Sequence, residues 1–501
     1  MNLHTYTKLD ATDIAELIKK KEVTPREILK LSFAQMEKVN PDLNAVVHHR
    51  MDKVLEEAEN FSNNGPFAGV PILLKNISQS LKGEPITSGS SLFQSSIANR
   101  NSYFVDKILK TGFLVTGHTN TPEFGLKNIT EPRIYGPSRN PWNTDYSPGG
   151  SSGGAAAAIA SGIVPLAGAS DGGGSIRIPA SFTSLVGLKP TRGRTPVGPG
   201  AGRQWQGASI DFVLSKTVRD SAAMLDALQV IQQSAAFHTP LLPGSSLDIL
   251  GKPFTKPLKV AFSTASPVGT PVSDDAKQAV LKIVKWLESE GHVVEERDNG
   301  VDGVQLMRNY YLMNSGEISG LVEQVEQAIG RPVSEKDLEI ESWLLNEAGK
   351  CVTAAQYSAS LASWDNAAAQ MADLHEEFDL YITPTNANIA PKIGELTHTA
   401  ENEENLREQM KKAVTSAEKQ EIIYEMFLPS LTYTPFTQLA NLTGQPAISV
   451  PVHLSEAGLP LGVQFMAAKG QERLLLQLAS QIEQTSLWVG LEKLPYYKIF
   501  K

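Results

Sequence analysis

The chain has 501 residues, and its 45 Lys or Arg against 54 Asp or Glu residues give a formal net charge of −9. With 20% charged and 41% hydrophobic residues, the composition is that of a folded globular protein and excludes a wholly disordered or fibrous chain. The mild acidity argues against a dedicated nucleic-acid-binding protein, which usually carries a basic face. We therefore expect no nucleic-acid partner.

Cysteine usage and the apolar runs bear on where the protein works. Cys351 is the one cysteine, so no disulfide can form within the chain, which fits a cytoplasmic location. The first ten residues show no signal peptide, and no run of about 18 strongly apolar residues predicts a membrane span. No cluster of His or Cys has the spacing of metal ligands, so we expect no metal site and no cofactor.

The N-terminal segment, residues 1–60, is predicted to form a helical layer. Residues 24–27 (TPRE) form a helix start, with a capping Thr, a Pro at the first helical position and a Glu that completes a capping box. Leu29, Phe33 and Met36 then recur on one apolar face, as in an amphipathic helix.

The rest of the chain has an α/β pattern. Between about residues 67 and 193, short apolar runs alternate with turns rich in Gly, Ser and Asn, and a second α/β unit follows from residue 258. Charged helical patterns at about 305–375 and 400–428 indicate helical insertions. We expect one domain over residues 1–501. Strands are predicted at 70–74, 113–115, 258–262, 292–295, 378–382 and 447–450, and helices at 276–287 and 474–482.

Residues 147–154, with the sequence SPGGSSGG, are the most unusual stretch. Such a segment could be a flexible linker. It runs directly into the apolar, helix-forming segment 155–159, however, which favours a packed loop whose glycines let the backbone approach another group closely.

A second glycine-rich segment, residues 170–179, has the sequence SDGGGSIRIP. Three successive glycines can turn several backbone N–H groups toward one point, an arrangement that suits a developing oxyanion. Ser175 at the end of this nest is a candidate nucleophile. A tight turn between a strand and a helix is the simpler interpretation of the segment taken alone.

Lys75 is the candidate base for Ser175. It ends the apolar run 69–74, and a lysine at the end of a buried strand is desolvated, which lowers its pKa toward the working range. A neutral lysine can act as general base for a serine. The alternative is a lysine that emerges from the strand into solvent.

Other motif matches carry less weight. Residues 149–153 and 168–172 both fit G-x-S-x-G, a weak pattern in a glycine-rich chain, and no histidine lies in a context typical of an α/β-hydrolase triad. Residues 416–419 fit S-x-x-K but lack the companion motifs of a β-lactamase-type site.

Taken in order, these segments resemble the amidase signature family over nearly the whole chain, most weakly at about 300–375 and 395–430. The resemblance implies an α/β fold in which a large mixed β-sheet core is sandwiched by helices. The matching segments are residues 69–75, 119–125, 140–143, 149–154, 171–177, 187–191, 383–385 and 441–447.

The resemblance also implies a catalytic triad, in which Ser175 is the nucleophile, Ser151 the bridging serine and Lys75 the base. A non-proline cis peptide bond is expected before Ser151. The other implied site residues are the oxyanion-hole glycines Gly172, Gly173 and Gly174, the supporting residues Ser152, Asp171 and Arg177, and the substrate-pocket residues Gly125 and Leu126.

The function implied is hydrolysis of carboxylic amides through an acyl-enzyme, with a small-molecule amide as the partner. Asn76 stands where the family usually has an acid, and Gly172 where many members have Thr or Ile. The form of residues 170–179 is most similar to the branch of 6-aminohexanoate cyclic-dimer hydrolases, which points to linear or cyclic amides. The alternatives are the glutaminase subunit of a tRNA-dependent amidotransferase and a scaffold protein with an inactive site; a homodimer is an open possibility.

Overall fold

An 11-stranded mixed sheet forms the centre of the molecule in the computed structural model, which describes residues 1–59 and 61–495. The strands are β1 (Val46–His49), β2 (Pro71–Lys75), β3 (Leu114–Thr119), β4 (Leu166–Asp171), β5 (Val186–Lys189), β6 (Ile210–Ser215), β7 (Lys259–Phe262), β8 (Val293–Glu296), β9 (Leu380–Pro384), β10 (Ala447–Leu454) and β11 (Pro460–Ala467). They lie in the order β1-β3-β2-β4-β6-β5-β10-β11-β9-β7-β8.

The helices of the described residues cover this sheet and extend beyond it. They are α1 (Leu3–Lys8), α2 (Ala11–Lys19), α3 (Pro25–Leu43), α4 (Met51–Glu59), α5 (Tyr103–Lys110), α6 (Gly153–Ala160), α7 (Arg177–Thr183), α8 (Val218–Leu228), α9 (Asp274–Ser289), α10 (Gly303–Ile329), α11 (Ile340–Gly349), α12 (Ala354–Glu377), α13 (Ala400–Lys412), α14 (Ser416–Tyr433), α15 (Gln438–Thr443) and α16 (Glu472–Glu483). The predicted α/β fold, a large mixed sheet sandwiched by helices, is confirmed.

Strands β2 and β4 are parallel neighbours near one end of the sheet order, with Leu73 opposite Ala167. Since the carboxyl ends of parallel strands meet at the same edge of a sheet, Lys75 and Asp171, the last residues of these strands, come close together. Successive side chains of a strand point to opposite faces. Ser170 and Asp171 therefore face different neighbours, although both end β4.

A second apolar core lies among the helices of the late insertions. Helices α10, α11, α13 and α14 pack around it, with Leu344 and Ile423 fully buried. Phe124, from the loop after β3, is buried in the same core. Leu126 packs against its edge. These helices therefore form a wall over the edge of the sheet at which β2 and β4 end.

Several local predictions are confirmed. Thr24 caps α3, Pro25 is its first residue, and the reciprocal hydrogen bonds of a capping box join Thr24 and Glu27. Each predicted strand corresponds to a strand of the sheet, with shifts of at most four residues at the ends. In the part of the chain that the structure describes, every helix is too short or too polar to span a bilayer.

Candidate active site

Lys75 lies at the end of β2 with its side chain fully buried. Its Nζ atom is 2.7 Å from Ser151 Oγ and 2.9 Å from Ser170 Oγ. Burial lowers the pKa of this amine to about 7, against the opposing attraction of Asp211 and Asp171. The amine is therefore neutral in a large fraction of molecules at physiological pH.

Ser151 belongs to the glycine-rich loop before α6, and the Gly150–Ser151 peptide bond is cis, as the resemblance implies. The loop is packed rather than free, because a Cβ atom at Gly150 would lie 2.5 Å from the carbonyl oxygen of Ile129. Thr130 Oγ1 accepts a hydrogen bond from the Gly153 N–H at 3.1 Å and donates to the Gly149 carbonyl at 2.9 Å. The linker interpretation of this segment is therefore wrong.

Ser175 follows the three glycines after β4 and is half-buried. It lines the same cavity as Ser151 and Ser170. Among the residues described, its hydroxyl has no hydrogen-bond partner, so the side chain is free to turn toward Ser151 or toward a bound ligand. The structure thus brings Lys75, Ser151 and Ser175 to one place, with a direct contact between the first two.

Asp171 and Arg177 form a fully buried ion pair that spans the nucleophile loop, with 2.8 Å between Arg177 Nη2 and Asp171 Oδ1. Burial alone would raise the pKa of Asp171, but Arg177 and Asn441 lower it to about 2. Asp171 also accepts the N–H groups of Gly174 at 2.8 Å and Ile176 at 3.1 Å. The pair therefore holds the shape of the loop and leaves no free charge there.

The oxyanion glycines differ from one another in this arrangement. The Gly174 N–H is donated to Asp171, so Gly174 is a brace of the loop rather than an available donor, a correction to the predicted set. The N–H groups of Gly172, Gly173 and Ser175 have no partner among residues 1–59 and 61–495. Three backbone donors therefore remain near the Ser175 hydroxyl.

Above these groups lies a cavity of about 460 Å³. Its lining combines the polar residues of the nucleophile loop and the cations Lys127 and Arg203 with a larger set of apolar and aromatic side chains from the insertion wall, the loop after β3 and the segments before α5 and β6. Those side chains include Phe93, Phe124, Leu126, Trp205, Tyr311 and Phe427. The cavity suits a small organic ligand with a mostly apolar body.

The two predicted pocket residues line this cavity. Gly125 has a φ of +70°, and a Cβ atom there would lie 3.2 Å from Ser151 Oγ, so a side chain at this position would press on the candidate triad. Leu126 is partly buried beside the apolar core of the wall. The predicted supporting residue Ser152 accepts the Ser170 N–H at 3.4 Å and donates to the Ser170 carbonyl at 3.3 Å, which ties its loop to β4.

Sequence reasoning missed several residues of the site. No role is predicted for Ser170 from the sequence. Its position before Asp171 on a strand nevertheless directs its side chain toward Lys75. Asn441 lies in a matching segment of the family, and its Nδ2 donates to the Asp171 carbonyl at 2.9 Å. Tyr310, whose hydroxyl donates to the Gly172 carbonyl at 3.0 Å, comes from the weakly matching insertion and had no local signal.

Comparison with known proteins gives a family match over most of the chain. The family model described as Amidase matches residues 27–476. A lipoamidase from Enterococcus faecalis is 40% identical over 484 residues, which are 95% of this chain and 63% of that protein. The chain thus spans less than two thirds of the length of that relative.

Two further comparisons cover whole chains. A 6-aminohexanoate-cyclic-dimer hydrolase from Paenarthrobacter ureafaciens is 35% identical over 490 residues, 96% of this chain and 95% of the relative. The solved structure of a 6-aminohexanoate cyclic dimer hydrolase complexed with substrate has a TM-score of 0.86 and 33% identity, and the match covers 99% of this chain and 98% of that one.

Proposed function

Because the chain belongs to the amidase signature family and is an amide-hydrolysing enzyme, we propose that it works through Ser175 as nucleophile, Ser151 as proton relay and Lys75 as general base. The observation that carries this assignment is the buried Lys75 amine, which lies 2.7 Å from the hydroxyl of Ser151, a residue of the cavity that the unpartnered Ser175 also lines.

The proton path follows from these positions. Neutral Lys75 takes the Ser151 hydroxyl proton, and Ser151 takes the proton of Ser175 as the Ser175 oxygen bonds to the amide carbonyl carbon. When the C–N bond breaks, the proton returns through Ser151 to the departing amine. Water then attacks the acyl-enzyme by the same route and releases the carboxylic acid.

Stabilisation of the oxyanion is assigned to the N–H groups of Gly172, Gly173 and Ser175. Backbone donors held in place before the reaction need no reorganisation as charge develops on the carbonyl oxygen. The Asp171–Arg177 pair supports this assignment, because Asp171 accepts the Gly174 and Ile176 N–H groups and Arg177 holds its carboxylate in place.

The substrate class is assigned from the cavity. An apolar, aromatic lining favours an amide whose acyl group is an uncharged hydrocarbon chain or ring. The cyclic dimer of 6-aminohexanoate and an amide of a lipoyl group fit this description, and the names of two relatives refer to such compounds. The glutaminase subunit of an amidotransferase is less well supported, since glutamine would place an ammonium group in a cavity whose charged lining residues, Lys127 and Arg203, are both cations.

Active-site labelling tests the assignment. A fluorophosphonate probe should label wild-type protein at one residue, mapped by mass spectrometry to Ser175. Label should be absent in Ser175→Ala and slowed by several orders of magnitude in Ser151→Ala and Lys75→Ala. Amide hydrolysis, screened from short aminohexanoate oligomers, lipoamide and aryl amides, should fall in parallel.

The outcomes separate the hypotheses. Label on another residue of folded protein would contradict the assigned nucleophile. Absence of label and of hydrolysis would favour a subunit that needs a partner chain, or an inactive site. The cytoplasmic location and the homodimer stay predictions, which fractionation and sedimentation can test.

A further inference from the structure

The carbonyl groups of residues 171–174 in the nucleophile loop each accept a hydrogen bond. Asn441 Nδ2 donates to the Asp171 carbonyl at 2.9 Å, Thr437 Oγ1 to the Gly173 carbonyl at 2.6 Å, and the Ile178 N–H to the Gly174 carbonyl at 2.7 Å. The Gly172 carbonyl accepts the Tyr310 hydroxyl at 3.0 Å. Each of these four peptide planes is therefore fixed by a hydrogen bond to its carbonyl.

A peptide unit is planar and, in its trans form, points its C=O and N–H in opposite directions. A donor that holds one carbonyl consequently sets the direction of the N–H in the same plane, which belongs to the next residue. By this rule Tyr310 sets the direction of the Gly173 N–H, one of the three donors that have no partner in the described chain.

Tyr310 differs from the other three hydrogen-bond donors in the part of the fold that carries it. Asn441, Thr437 and Ile178 lie in or beside helices that pack on the sheet, whereas Tyr310 lies on α10 in the wall of the cavity. Its ring packs against two aromatic side chains. The centroid of the Tyr310 ring lies 5.8 Å from that of Tyr311 and 6.4 Å from that of Trp364. A Cβ atom at Gly173 would lie 3.1 Å from the Tyr310 hydroxyl oxygen, so the hydroxyl rests directly on the loop.

The environment of the hydroxyl keeps it a donor. Burial raises the pKa of Tyr310 well above its usual value, so the proton stays on the oxygen throughout the working range. Asn314, one helical turn along α10, lies beside the hydroxyl and accepts the Trp205 indole N–H at 2.6 Å.

We propose that Tyr310 is a positioning residue of the oxyanion hole, through which the helical wall of the cavity sets the orientation of the Gly173 N–H. This inference rests on the proposed function, because it takes the loop N–H groups as the oxyanion donors. The tyrosine touches the loop carbonyl and not the reacting atoms. Its effect is expected in the transition state, where the oxygen carries charge, more than in the bound substrate.

The test is Tyr310→Phe, which removes one hydroxyl and keeps the ring. Loss of a whole oxyanion donor lowers kcat by about 100- to 1000-fold, so a misaligned donor should lower kcat and kcat/KM by about 10- to 100-fold with KM nearly unchanged. Affinity for a trifluoromethyl ketone analogue, which forms a tetrahedral adduct with Ser175, should fall in parallel. Affinity for the carboxylate product should not.

Tyr357→Phe is the matched control. The Tyr357 hydroxyl on α12 donates to Glu317 of α10, so this variant also removes a tyrosine hydroxyl from the insertion, away from the cavity. Its kinetic constants should equal those of wild type. A higher KM with unchanged kcat in Tyr310→Phe would overturn the proposal, and so would equal losses in both variants together with a lower Tm.

A second measurement covers poor folding of Tyr310→Phe. Difluorotyrosine at position 310 keeps the ring and the hydroxyl but makes the hydroxyl more acidic, so donation should stop at high pH and the rate should fall there more than in wild type. A rate that stays unchanged after the difluorotyrosine hydroxyl has ionised, as followed by its ultraviolet absorbance, would overturn the proposal. If wild-type protein forms no adduct with the ketone, the proposed function itself fails, and that result is distinct from every outcome above.

Discussion

Lys75 has a side chain that is normally protonated in water, but it lies in a buried position that disfavours charge. Its amine is fully buried, and burial lowers its pKa to about 7 even with Asp211 and Asp171 nearby. A base must be unprotonated to accept a proton, and it acts best when its pKa lies near the working pH. Burial therefore makes a residue that is normally protonated into a usable base.

The rate should depend on pH through this group. Below pH 7 Lys75 becomes protonated and cannot accept the Ser151 proton, so kcat/KM should fall about tenfold per pH unit on the acid side of an inflection near pH 7. The measurement is kcat/KM of an uncharged amide between pH 5 and 9. A flat profile across this range would contradict the assignment of Lys75.

Lys189 supplies the control for that profile. It is also fully buried, and burial together with the Arg177 charge lowers its pKa to about 7, but its Nζ donates to the Pro190 carbonyl and it does not line the cavity. In folded Lys189→Met the inflection should persist, whereas Lys75→Ala should lose the rate. Loss of the inflection in Lys189→Met would mean that the wrong lysine has been assigned.

Leu126 should affect selectivity more than stability. Its side chain lines the cavity and is only partly buried, so Leu126→Ala enlarges the acyl-binding space and leaves no closed void in the core. The ratio of kcat/KM for a bulky acyl amide to that for a short one should rise several-fold, with a Tm within a few degrees of wild type. A Tm lower by many degrees with unchanged selectivity would argue that Leu126 is a structural residue.

At the scale of elements, a buried ion pair joins the loop after β3 to α11. Lys127 Nζ lies 2.8 Å from Glu341 Oε1 and 3.7 Å from Glu339 Oε2. Burial alone would lower the pKa of Lys127, but these two carboxylates hold it above its usual range. In addition, the Glu339 N–H donates to Glu123 at 2.8 Å. The cavity wall is thus attached to the core beside the predicted pocket residues.

Lys127→Met should weaken this attachment. It leaves Glu341 buried without its cation, a change that typically destabilises a protein by about 3–5 kcal/mol. We expect a lower free energy of unfolding, and a higher KM both because the loop that carries Leu126 loses its support and because Lys127 itself lines the cavity. Chemical denaturation and steady-state kinetics measure the two effects.

Two further variants make the test specific. Lys127→Met combined with Glu341→Met removes both charges of the 2.8 Å pair and should recover part of the lost stability, because Glu339 alone then keeps its charge without the lysine. Lys412→Met breaks an exposed pair with Glu408 on α13 and should change the unfolding free energy by about 1 kcal/mol or less. Equal effects of the buried and the exposed variant would show that the ion pair does not hold the wall.

The elements differ in how far the sequence predicts them. Four consecutive residues predict the start of α3, and a short apolar run predicts the strand at residues 71–75. Local sequence is enough to predict both elements. The loops around Ser151 and Ser175 are recognisable because their glycines are required by close backbone contacts. Contacts such as Tyr310 to Gly172, 138 residues apart, depend on packing, which no local pattern encodes.

At the scale of the whole molecule, the buried base opposes folding. An unfolded lysine has a pKa near 10.4, whereas Lys75 in the folded state has a pKa of about 7. Between these values the unfolded chain binds the proton and the folded chain does not, so stability rises with pH through this window. The penalty is largest at pH 7 and below and disappears near about pH 10.

Lys75→Met should therefore raise Tm while it abolishes activity. The gain should be several degrees at pH 7 and should shrink toward zero near about pH 10, where the wild-type amine is neutral in both states. Thermal unfolding at a series of pH values measures this difference. An equal gain at every pH would mean that better packing, and not proton linkage, is the cause.

The order of the 11 strands lies beyond sequence reasoning at this scale. β10 pairs with β5 although about 260 residues separate them, and β9 lies between β11 and β7. Here the resemblance to a family supplied the architecture, whereas the residues alone predicted only that strands and helices alternate.

The wall of helices α10, α11, α13 and α14 is a natural segment to exchange between family members in a chimera. Its helices α10 and α14 supply one side of the cavity, while the triad candidates all stand on the sheet and its adjoining loops. Grafting the parts of this wall that line the cavity, on α10 and α14, from another family member would exchange one side of the acyl-binding surface and leave the triad candidates and strand β9 in place. Tyr310 lies on the exchanged helix α10 but donates a hydrogen bond to the Gly172 carbonyl, which lies outside the exchanged part. A chimera whose donor segment lacks this tyrosine would acquire a new selectivity together with a slower reaction, and restoring the one hydroxyl would be the first repair to try.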